Sequence, residues 1–314
     1  MAYKIIFFGS SEFGIPIVNE LGKNSDFEIM AIVTQPDKPV GRGQKTAPTP
    51  IKAFYESRYP VLTPEKVKNN KDFEKIIDGL APDFIITAAY GQIMPQSMLS
   101  LAKIAPINVH TSLLPKYRGA SPIQEAILNG DKETGVTIME MNDKLDEGDI
   151  YIIRRIPIEE KDNVETLNKK LAILASQMLP PSLLDIADGI LKKIPQNSAL
   201  ASYCEKIAKE SGKINFKQMT AEEILRKIRA FYGWPECWTQ FNGKTLKIKD
   251  AEIAENKEKT PPGKIIFLDK NTIAIGTKSK LLIPKTIQIE GKSEMPIKDF
   301  INGQRKLLTT SQEL

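Results

Sequence analysis

The sequence has very few residues of the types that build metal and redox sites. It contains one histidine, His110, and two cysteines, Cys204 and Cys237, that lie far apart. Metal sites that use several histidines are therefore excluded, and the cysteine spacing matches neither a zinc site nor a redox pair. We expect no metal, and we expect both thiols to be reduced, as in a reducing compartment.

Long hydrophobic runs are also missing. Leu80–Ala89 is a typical apolar stretch, and Pro82 and Asp83 interrupt it, whereas a membrane helix needs about 20 apolar residues. The apolar segment near the N-terminus is too short for a signal peptide and has the character of a strand. We therefore expect a cytoplasmic protein with no membrane partner.

Common nucleotide-binding motifs are absent as well. Gly9–Gly14 follows the first predicted strand, but it lacks the middle glycine of the dinucleotide fingerprint, and there is no P-loop. A tight turn between a strand and a helix is the simpler interpretation of this segment.

The first 190 residues alternate between short apolar strands and amphipathic helices. The clearest predicted strands are Tyr3–Phe8, Phe27–Val33, Asp83–Ala88 and Ile104–His110. Strands that alternate with helices indicate βαβ units with right-handed crossovers. We therefore predict an α/β fold whose N-terminal domain has a Rossmann-like, mostly parallel sheet.

The pattern changes after residue 190. A helix is predicted to begin at Thr220, where Thr220 and Glu223 form a capping box. Short strand-like segments with turn signals follow, including the hairpin signal Asn242-Gly243, and this pattern is typical of a small β-barrel. The predicted organisation is a catalytic domain at 1–190, a linker at 191–207 and a smaller barrel domain at 208–314.

The two parts of the chain differ in charge. Residues 191–314 hold 23 Lys and Arg against 14 Asp and Glu, a net charge of +9, while the rest holds 21 against 25, a net charge of −4. A basic C-terminal part indicates a polyanionic partner. A lysine-rich surface that binds nothing is the alternative from charge alone.

One predicted strand carries a pair of polar side chains near its carboxyl end. Because side chains alternate along a strand, Asn108 and His110 share one face. Ligands bind at the carboxyl ends of strands in open α/β sheets, so the pair is a candidate site. The acidic turn Leu145–Asp149 could bind a metal or supply a base near His110. A structural histidine and a solvated turn are the alternatives.

These segments together resemble the formyltransferase family that uses 10-formyltetrahydrofolate. The resemblance is carried by Asn108-Val109-His110, Ser112-Leu113-Leu114-Pro115, Arg118-Gly119 and Asp146 within Leu145–Asp149. It implies that Asn108, His110 and Asp146 are catalytic, and that 10-formyltetrahydrofolate is the cosubstrate. Asp146 could act either as a base or as the group that orients His110. The residues that the resemblance assigns to folate binding are Ser112, Leu113, Leu114, Pro115, Tyr90, Gly91, Ile93 and Met94.

Two positions depart from the family pattern. Thr111 stands where glycine is expected, and Glu147 stands where threonine is commoner. Neither change removes a catalytic group, although Thr111 is expected to reshape the pocket slightly.

A long loop and the C-terminal part favour one branch of this family. Thr34–Lys45 resembles the insertion loop of members that act on methionyl initiator tRNA, with Arg42, Lys38 and Lys45 as the candidate contacts. Ile228–Phe231 and Trp234-Pro235 resemble the start of the OB-like C-terminal domain of those members. The resemblance covers the whole chain and implies a monomer that formylates methionyl initiator tRNA. A nucleotide-sugar formyltransferase and a non-catalytic nucleic-acid-binding protein are the alternatives.

Overall fold

The computed structural model of this chain describes residues 1–40 and 44–310. These residues form two compact units. The described residues within Met1–Pro122, Glu133–Pro157 and Leu167–Glu205 form unit 1, and those within Ile123–Lys132, Ile158–Thr166 and Lys206–Leu314 form unit 2. The domain limits at residues 190 and 207 stay a prediction.

Unit 1 is organised around a seven-stranded sheet. The strands of the first 205 residues are β1 (Tyr3–Gly9), β2 (Phe27–Val33), β3 (Lys38–Val40), β4 (Lys45–Ala47), β5 (Val61–Leu62), β6 (Phe84–Ala88), β7 (Ala105–His110), β8 (Arg118–Gly119), β9 (Glu133–Glu140), β10 (Ile150–Pro157) and β11 (Tyr203–Cys204). The helices over the same range are α1 (Gly14–Lys23), α2 (Pro50–Tyr55), α3 (Lys71–Leu80), α4 (Gln96–Leu99), α5 (Pro122–Leu128) and α6 (Val164–Ala187).

The order of the large sheet is β10-β9-β7-β6-β1-β2-β5. Strands β7, β6, β1, β2 and β5 run parallel to one another. Strand β9 pairs antiparallel with β7, and β10 pairs antiparallel with β9. The prediction of a mostly parallel sheet is confirmed, with an antiparallel pair at one edge.

The centre of this sheet is buried on both faces. Four consecutive residues of β1, Ile5 to Phe8, are fully inaccessible to solvent. A strand covered on both faces needs a continuous apolar run rather than an alternating pattern, and β1 has such a run. Burial of each of these side chains stabilises the folded state by roughly 1.5–3 kcal/mol. This burial holds in place the central strands, whose carboxyl ends form the site.

The long helix α6 contains two prolines, Pro180 and Pro181. The helix nevertheless runs unbroken through both prolines and ends at Ala187. Proline removes a backbone N–H donor and disfavours a helix interior, but extensive burial of the neighbouring turns, for example at Leu179 and Leu183, offsets this cost.

Unit 2 contains a second sheet with antiparallel pairing. Its main elements are α7 (Ala221–Ala230), β12 (Cys237–Phe241), β13 (Lys244–Ala254), β14 (Ile265–Phe267), β15 (Ile273–Gly276), β16 (Leu281–Ile289), β17 (Met295–Pro296) and α8 (Ile297–Thr310). The order is β12-β13-β16-β15-β14, and β17 also pairs with β16. The predicted α/β class, with antiparallel strands following the mostly parallel sheet, is confirmed.

Two local predictions in unit 2 are confirmed. The Thr220 hydroxyl accepts a hydrogen bond from Glu223 N at 3.1 Å, and the Glu223 carboxylate accepts one from Thr220 N at 2.7 Å, which completes the capping box. Asn242 and Gly243 both have positive φ, 47° and 72°, as a two-residue hairpin turn requires. Within the described ranges, 1–40 and 44–310, we find no helix with the length and apolarity to cross a membrane.

Candidate active site

A cavity of about 520 Å³ opens at the carboxyl edge of the large sheet in unit 1. Its walls include Thr87 from β6, Asn108 and His110 from β7, and Asp146 from the turn between β9 and β10. Thr87 and Asn108 are direct neighbours across the β6–β7 ladder. The cavity therefore lies where the strand-end argument predicted a ligand site.

Asn108 lies on β7 and contacts the acidic turn. Its Nδ2 donates a hydrogen bond to Asp146 Oδ1 at 3.1 Å. A side-chain amide carries two N–H donors, and the bond to Asp146 uses one of them. The amide is thus oriented by the carboxylate at the wall of the cavity.

His110 is nearly buried, with 6% of its surface exposed. Its Nε2 lies 3.0 Å from the Tyr117 carbonyl oxygen. Because a carbonyl only accepts hydrogen bonds, Nε2 must carry the proton in this contact. The other ring nitrogen, Nδ1, lies 3.7 Å from Asp146 Oδ1, which is ion-pair distance. Nδ1 and Asp146 therefore form an ion pair only when the imidazole is protonated, and in the neutral ring the unprotonated nitrogen lies beside the carboxylate.

Asp146 is held in an unusual backbone conformation. Its φ is +54°, in the left-handed region that non-glycine residues seldom adopt. Its Oδ2 accepts a hydrogen bond from Gly119 N at 2.9 Å, in addition to the bond from Asn108 to Oδ1. Left-handed conformations at such residues cost of order 1–3 kcal/mol and persist only where the surroundings enforce them. The structure thus brings Asn108, His110 and Asp146 together around one carboxylate.

The residues predicted to bind folate divide into two groups. Tyr90, Gly91, Ile93 and Met94 line the cavity. Tyr90 and Met94 are buried, whereas 70% of the Ile93 surface is exposed. Together they form a mainly apolar wall, which is the usual character of a small-molecule site.

The second group, Ser112–Pro115, lies outside the lining of this cavity. The Ser112 hydroxyl donates to the Lys116 carbonyl at 2.6 Å, and Leu114 N donates to Thr137 Oγ1 at 3.2 Å. Ser112 and Leu114 are buried, so this loop turns inward and is fixed to β9. These hydrogen bonds fix the conformation of the loop that follows His110. A contact between Ser112–Pro115 and a cosubstrate stays a prediction.

Both positions that depart from the family pattern lie at the site. Thr111 lines the cavity. The Glu147 carboxylate lies 3.3 Å from Arg118 Nη1 and accepts a hydrogen bond from the Tyr203 hydroxyl at 3.3 Å. Glu147 therefore adds an ion pair beside Asp146 where threonine would have none.

The predicted tRNA loop is partly described. Strands β3 and β4 pair antiparallel, with Lys38 opposite Ala47 and Val40 opposite Lys45. Lys38 and Lys45 are exposed. The loop is therefore a two-stranded ribbon in its described parts rather than an irregular stretch. Arg42, the third predicted contact, lies outside the described residues.

Sequence reasoning missed some residues of the cavity. Thr87 lies near the carboxyl end of β6 beside Asn108, and the rule that singled out Asn108 would have found it. Phe13, Met139 and Met141 also line the wall, but their apolar side chains carry no signal that distinguishes them from core residues.

The formyl transferase family matches residues 3–183, and the family described as formyl transferase, C-terminal domain, matches residues 206–305. A methionyl-tRNA formyltransferase of Lactobacillus acidophilus is 42% identical over 312 residues, which cover 99% of this chain and 98% of the relative. A methionyl-tRNA formyltransferase of Halalkalibacterium halodurans is 39% identical over 313 residues, with 99% and 98% covered. The chain belongs to the methionyl-tRNA formyltransferase family. The family resemblance predicted from the motifs is thereby confirmed, and with it the prediction of an enzyme that transfers a formyl group.

Solved structures show the same fold at lower identity. WlaRD, a sugar 3N-formyltransferase, superimposes with a TM-score of 0.65 at 22% identity, over 93% of this chain and all of that one. HypX from Aquifex aeolicus, in a structure with tetrahydrofolic acid, gives a TM-score of 0.62 at 17% identity, over 98% of this chain and 48% of that one. At these identities the two structures show that this chain shares the formyltransferase fold, and the family is identified by the curated relatives above.

Proposed function

We propose that this chain transfers the formyl group of 10-formyltetrahydrofolate to the free amino group of methionyl initiator tRNA, giving N-formylmethionyl-tRNA for translation initiation. The observation that supports this most is the convergence of Asn108 and His110 on the Asp146 carboxylate at the wall of the cavity. It occurs in a chain that aligns over 99% of its length with methionyl-tRNA formyltransferases.

The proposed cosubstrate suits the cavity. A volume of about 520 Å³ falls within the range of roughly 300–1,000 Å³ that is usual for small-molecule sites. Folate has a flat, partly aromatic ring system, and Tyr90 and Met94 offer it an apolar wall. The polar groups of Asn108, His110 and Asp146 lie in the same cavity, so the formyl group can reach them.

In the proposed reaction the amine nitrogen forms a bond to the formyl carbon, and the bond between that carbon and the folate nitrogen breaks. The amine loses one proton and the folate nitrogen gains one, so no proton is consumed. The second N–H of Asn108 donates to the oxyanion of the tetrahedral intermediate. Removing such a donor costs roughly 10²–10³ in rate. Hydrogen-bond donors stabilise this charge directly, so the proposed mechanism needs no metal.

We assign the proton transfer to His110 and its stabilisation to Asp146. His110 Nδ1 accepts the amine proton and passes it to the folate nitrogen, since the contact with Tyr117 O occupies Nε2. Asp146, 3.7 Å from Nδ1, stabilises the imidazolium during the transfer. Asp146 could act as a base or as a charge that stabilises His110. A distance of 3.7 Å to Nδ1 suits the charge interaction better, because direct proton transfer needs a shorter hydrogen bond.

The tRNA would bind through basic residues. The C-terminal part carries a net charge of +9, and lysine–phosphate contacts would supply most of the affinity. Lys38, Lys45 and Arg42 would approach the acceptor end. We further propose the domain limits 1–190, 191–207 and 208–314, a monomeric state and a cytoplasmic location.

A comparison of acceptors tests the proposal. The full-length protein is incubated with the formyl donor and either methionyl initiator tRNA or a nucleotide-linked amino sugar. Formylation of the tRNA alone is the expected result. Formylation of the sugar alone would refute the proposal and would favour the activity that WlaRD represents.

A further inference from the structure

We propose that Gln196 and Arg118 are positioning residues that hold Asp146 in the orientation needed for formyl transfer, an inference that rests on the proposed function of Asp146. Neither side chain is assigned to the chemistry above. Both lie in unit 1 and contact the backbone or the side chains of the acidic turn.

Gln196 fixes the backbone of the turn on both sides of Glu147. Its Nε2 donates hydrogen bonds to the Asp146 and Gly148 carbonyl oxygens, each at 2.8 Å. These two bonds use both N–H groups of the amide. The carbonyl groups at the two ends of this short segment are therefore held by one side chain.

Arg118 in turn fixes Gln196. Its Nε and Nη2 donate to Gln196 Oε1 at 3.0 Å and 2.9 Å, and its Nη1 lies 3.3 Å from Glu147 Oε1. Only 1% of the Arg118 surface is exposed. A buried guanidinium must be paired. Because Arg118 offers only donors, the Gln196 amide must turn its oxygen toward Arg118 and its nitrogen toward the acidic turn.

We call Gln196 and Arg118, with their hydrogen bonds to the acidic turn, the frame. The backbone conformation of Asp146 explains why the turn needs it. The left-handed φ of Asp146, +54°, is less favourable than a right-handed conformation, although aspartate tolerates it better than most residues, so contacts that hold the turn help to keep it there. Gly148 adds a second constraint, because a Cβ there would lie 1.8 Å from Glu140 O. Without Gln196 the turn would relax, and the Asp146 carboxylate would move relative to His110.

The chemistry of the frame explains why position 196 requires an amide. The side chain must accept from Arg118 and donate to two carbonyl groups at the same time. Alanine provides neither function. Glutamate would still pair with Arg118, but its second oxygen would face the Asp146 and Gly148 carbonyl oxygens and repel them.

The test measures single-turnover formyl transfer by the full-length protein with Gln196→Ala, Gln196→Glu, Asp146→Ala and the double variant Gln196→Ala/Asp146→Ala. The control is Asn197→Ala, which removes an exposed side chain that accepts a hydrogen bond from Ala199 N in the local turn. Folding of every variant is measured by circular dichroism and thermal unfolding.

We expect both Gln196 variants to fold and to lower the transfer rate about 10–100-fold, as misplacing a reacting group by about 1 Å does. The KM values for both substrates should stay within about threefold, and Asn197→Ala should match the wild type. Because Gln196 acts through Asp146, the double variant should be no slower than Asp146→Ala alone.

Several outcomes would overturn the positioning role. It fails if either folded Gln196 variant transfers within about twofold of the wild type, or if Gln196→Ala slows the Asp146→Ala protein further. It also fails if both Gln196 variants unfold, since the side chain would then be needed for folding. Near-normal transfer by Asp146→Ala would instead refute the function proposed for Asp146.

Discussion

Replacing Tyr90 with phenylalanine should stabilise unit 1. The Tyr90 ring is 1% exposed and packs edge-on against Phe8, with ring centroids 5.3 Å apart. Its hydroxyl is buried and has no hydrogen-bond partner among residues 1–40 and 44–310. A buried polar group without a partner costs about 1–3 kcal/mol. Phenylalanine keeps the ring contact and removes this cost, so we expect a gain of about 1 kcal/mol.

The gain should increase at alkaline pH. Burial raises the pKa of Tyr90 to about 12, from 10.0 for an exposed tyrosine. Between these values the unfolded chain has lost a proton that the folded protein keeps. The stability of the wild type therefore falls by up to about 1.4 kcal/mol per pH unit in this window. Phenylalanine has no such proton, so its advantage should grow to about 2 kcal/mol at pH 11.

Urea unfolding of both proteins at pH 8 and pH 11 measures this difference, and other titrating groups cancel in the comparison. The matched control is Tyr55→Phe. The Tyr55 hydroxyl is also buried, but it lies 2.7 Å from Ile15 O and 2.8 Å from Asn19 Oδ1, so at pH 8 its loss should destabilise the protein by about 1 kcal/mol. Burial also raises the pKa of Tyr55, so the comparison of the two variants is made at pH 8. A similar destabilisation by Tyr90→Phe would refute the reasoning and would indicate a buried water on the hydroxyl.

Four further predictions concern the site and the chain around it. His110→Ala and Asp146→Ala should each lower formyl transfer at least about 100-fold while the circular dichroism spectrum stays unchanged; near-normal turnover would contradict the mechanism. The affinity for methionyl initiator tRNA should fall steeply between 50 and about 200 mM salt in a binding titration, because phosphate contacts release counterions; a flat dependence would exclude lysine–phosphate binding. Arg42→Leu should reduce activity on the tRNA with little change in formyl-donor KM, since leucine cannot donate to a phosphate or a base; equal activity would show that Arg42 makes no essential contact. Gly148→Ala should reduce activity, because its Cβ would meet Glu140 O. Gly303→Ala in helix α8 should instead raise the free energy of unfolding by up to about 1 kcal/mol, because an added Cβ there meets no described atom within 4 Å outside its own helical turn.

The parts of the fold that local patterns control were predictable. The continuous apolar run of β1 identifies a strand buried on both faces. The positive φ values at Asn242 and Gly243 are those that the dipeptide favours. The antiparallel pairing of β9 with β7 was beyond local reasoning, because strand direction in a sheet depends on the path of the whole chain.

The candidate site was predictable where its residues lie on a strand or in a long motif. Period-two alternation put Asn108 and His110 on one face, and the family motif added Asp146. Gln196 was missed because it is 50 residues beyond Asp146, in a segment whose composition indicates a linker. Its contacts with the turn depend on the folding of unit 1 and leave no pattern in the surrounding sequence.

The path of the chain between Ile194 and Cys204 limits how this enzyme could be divided or recombined. Ile194 pairs with Ile150, and Tyr203–Cys204 pairs with Arg118–Gly119. A protein shortened after residue 190 would keep Asn108, His110 and Asp146 but would lose Gln196 and strand β11. A gene fusion could exchange the C-terminal halves of two relatives. A junction after Glu205 would then preserve these contacts, whereas a junction near residue 190 would take residues 191–205 from the other parent and pair them with a foreign N-terminal half. Residues 191–205 should therefore be inherited together with the N-terminal half.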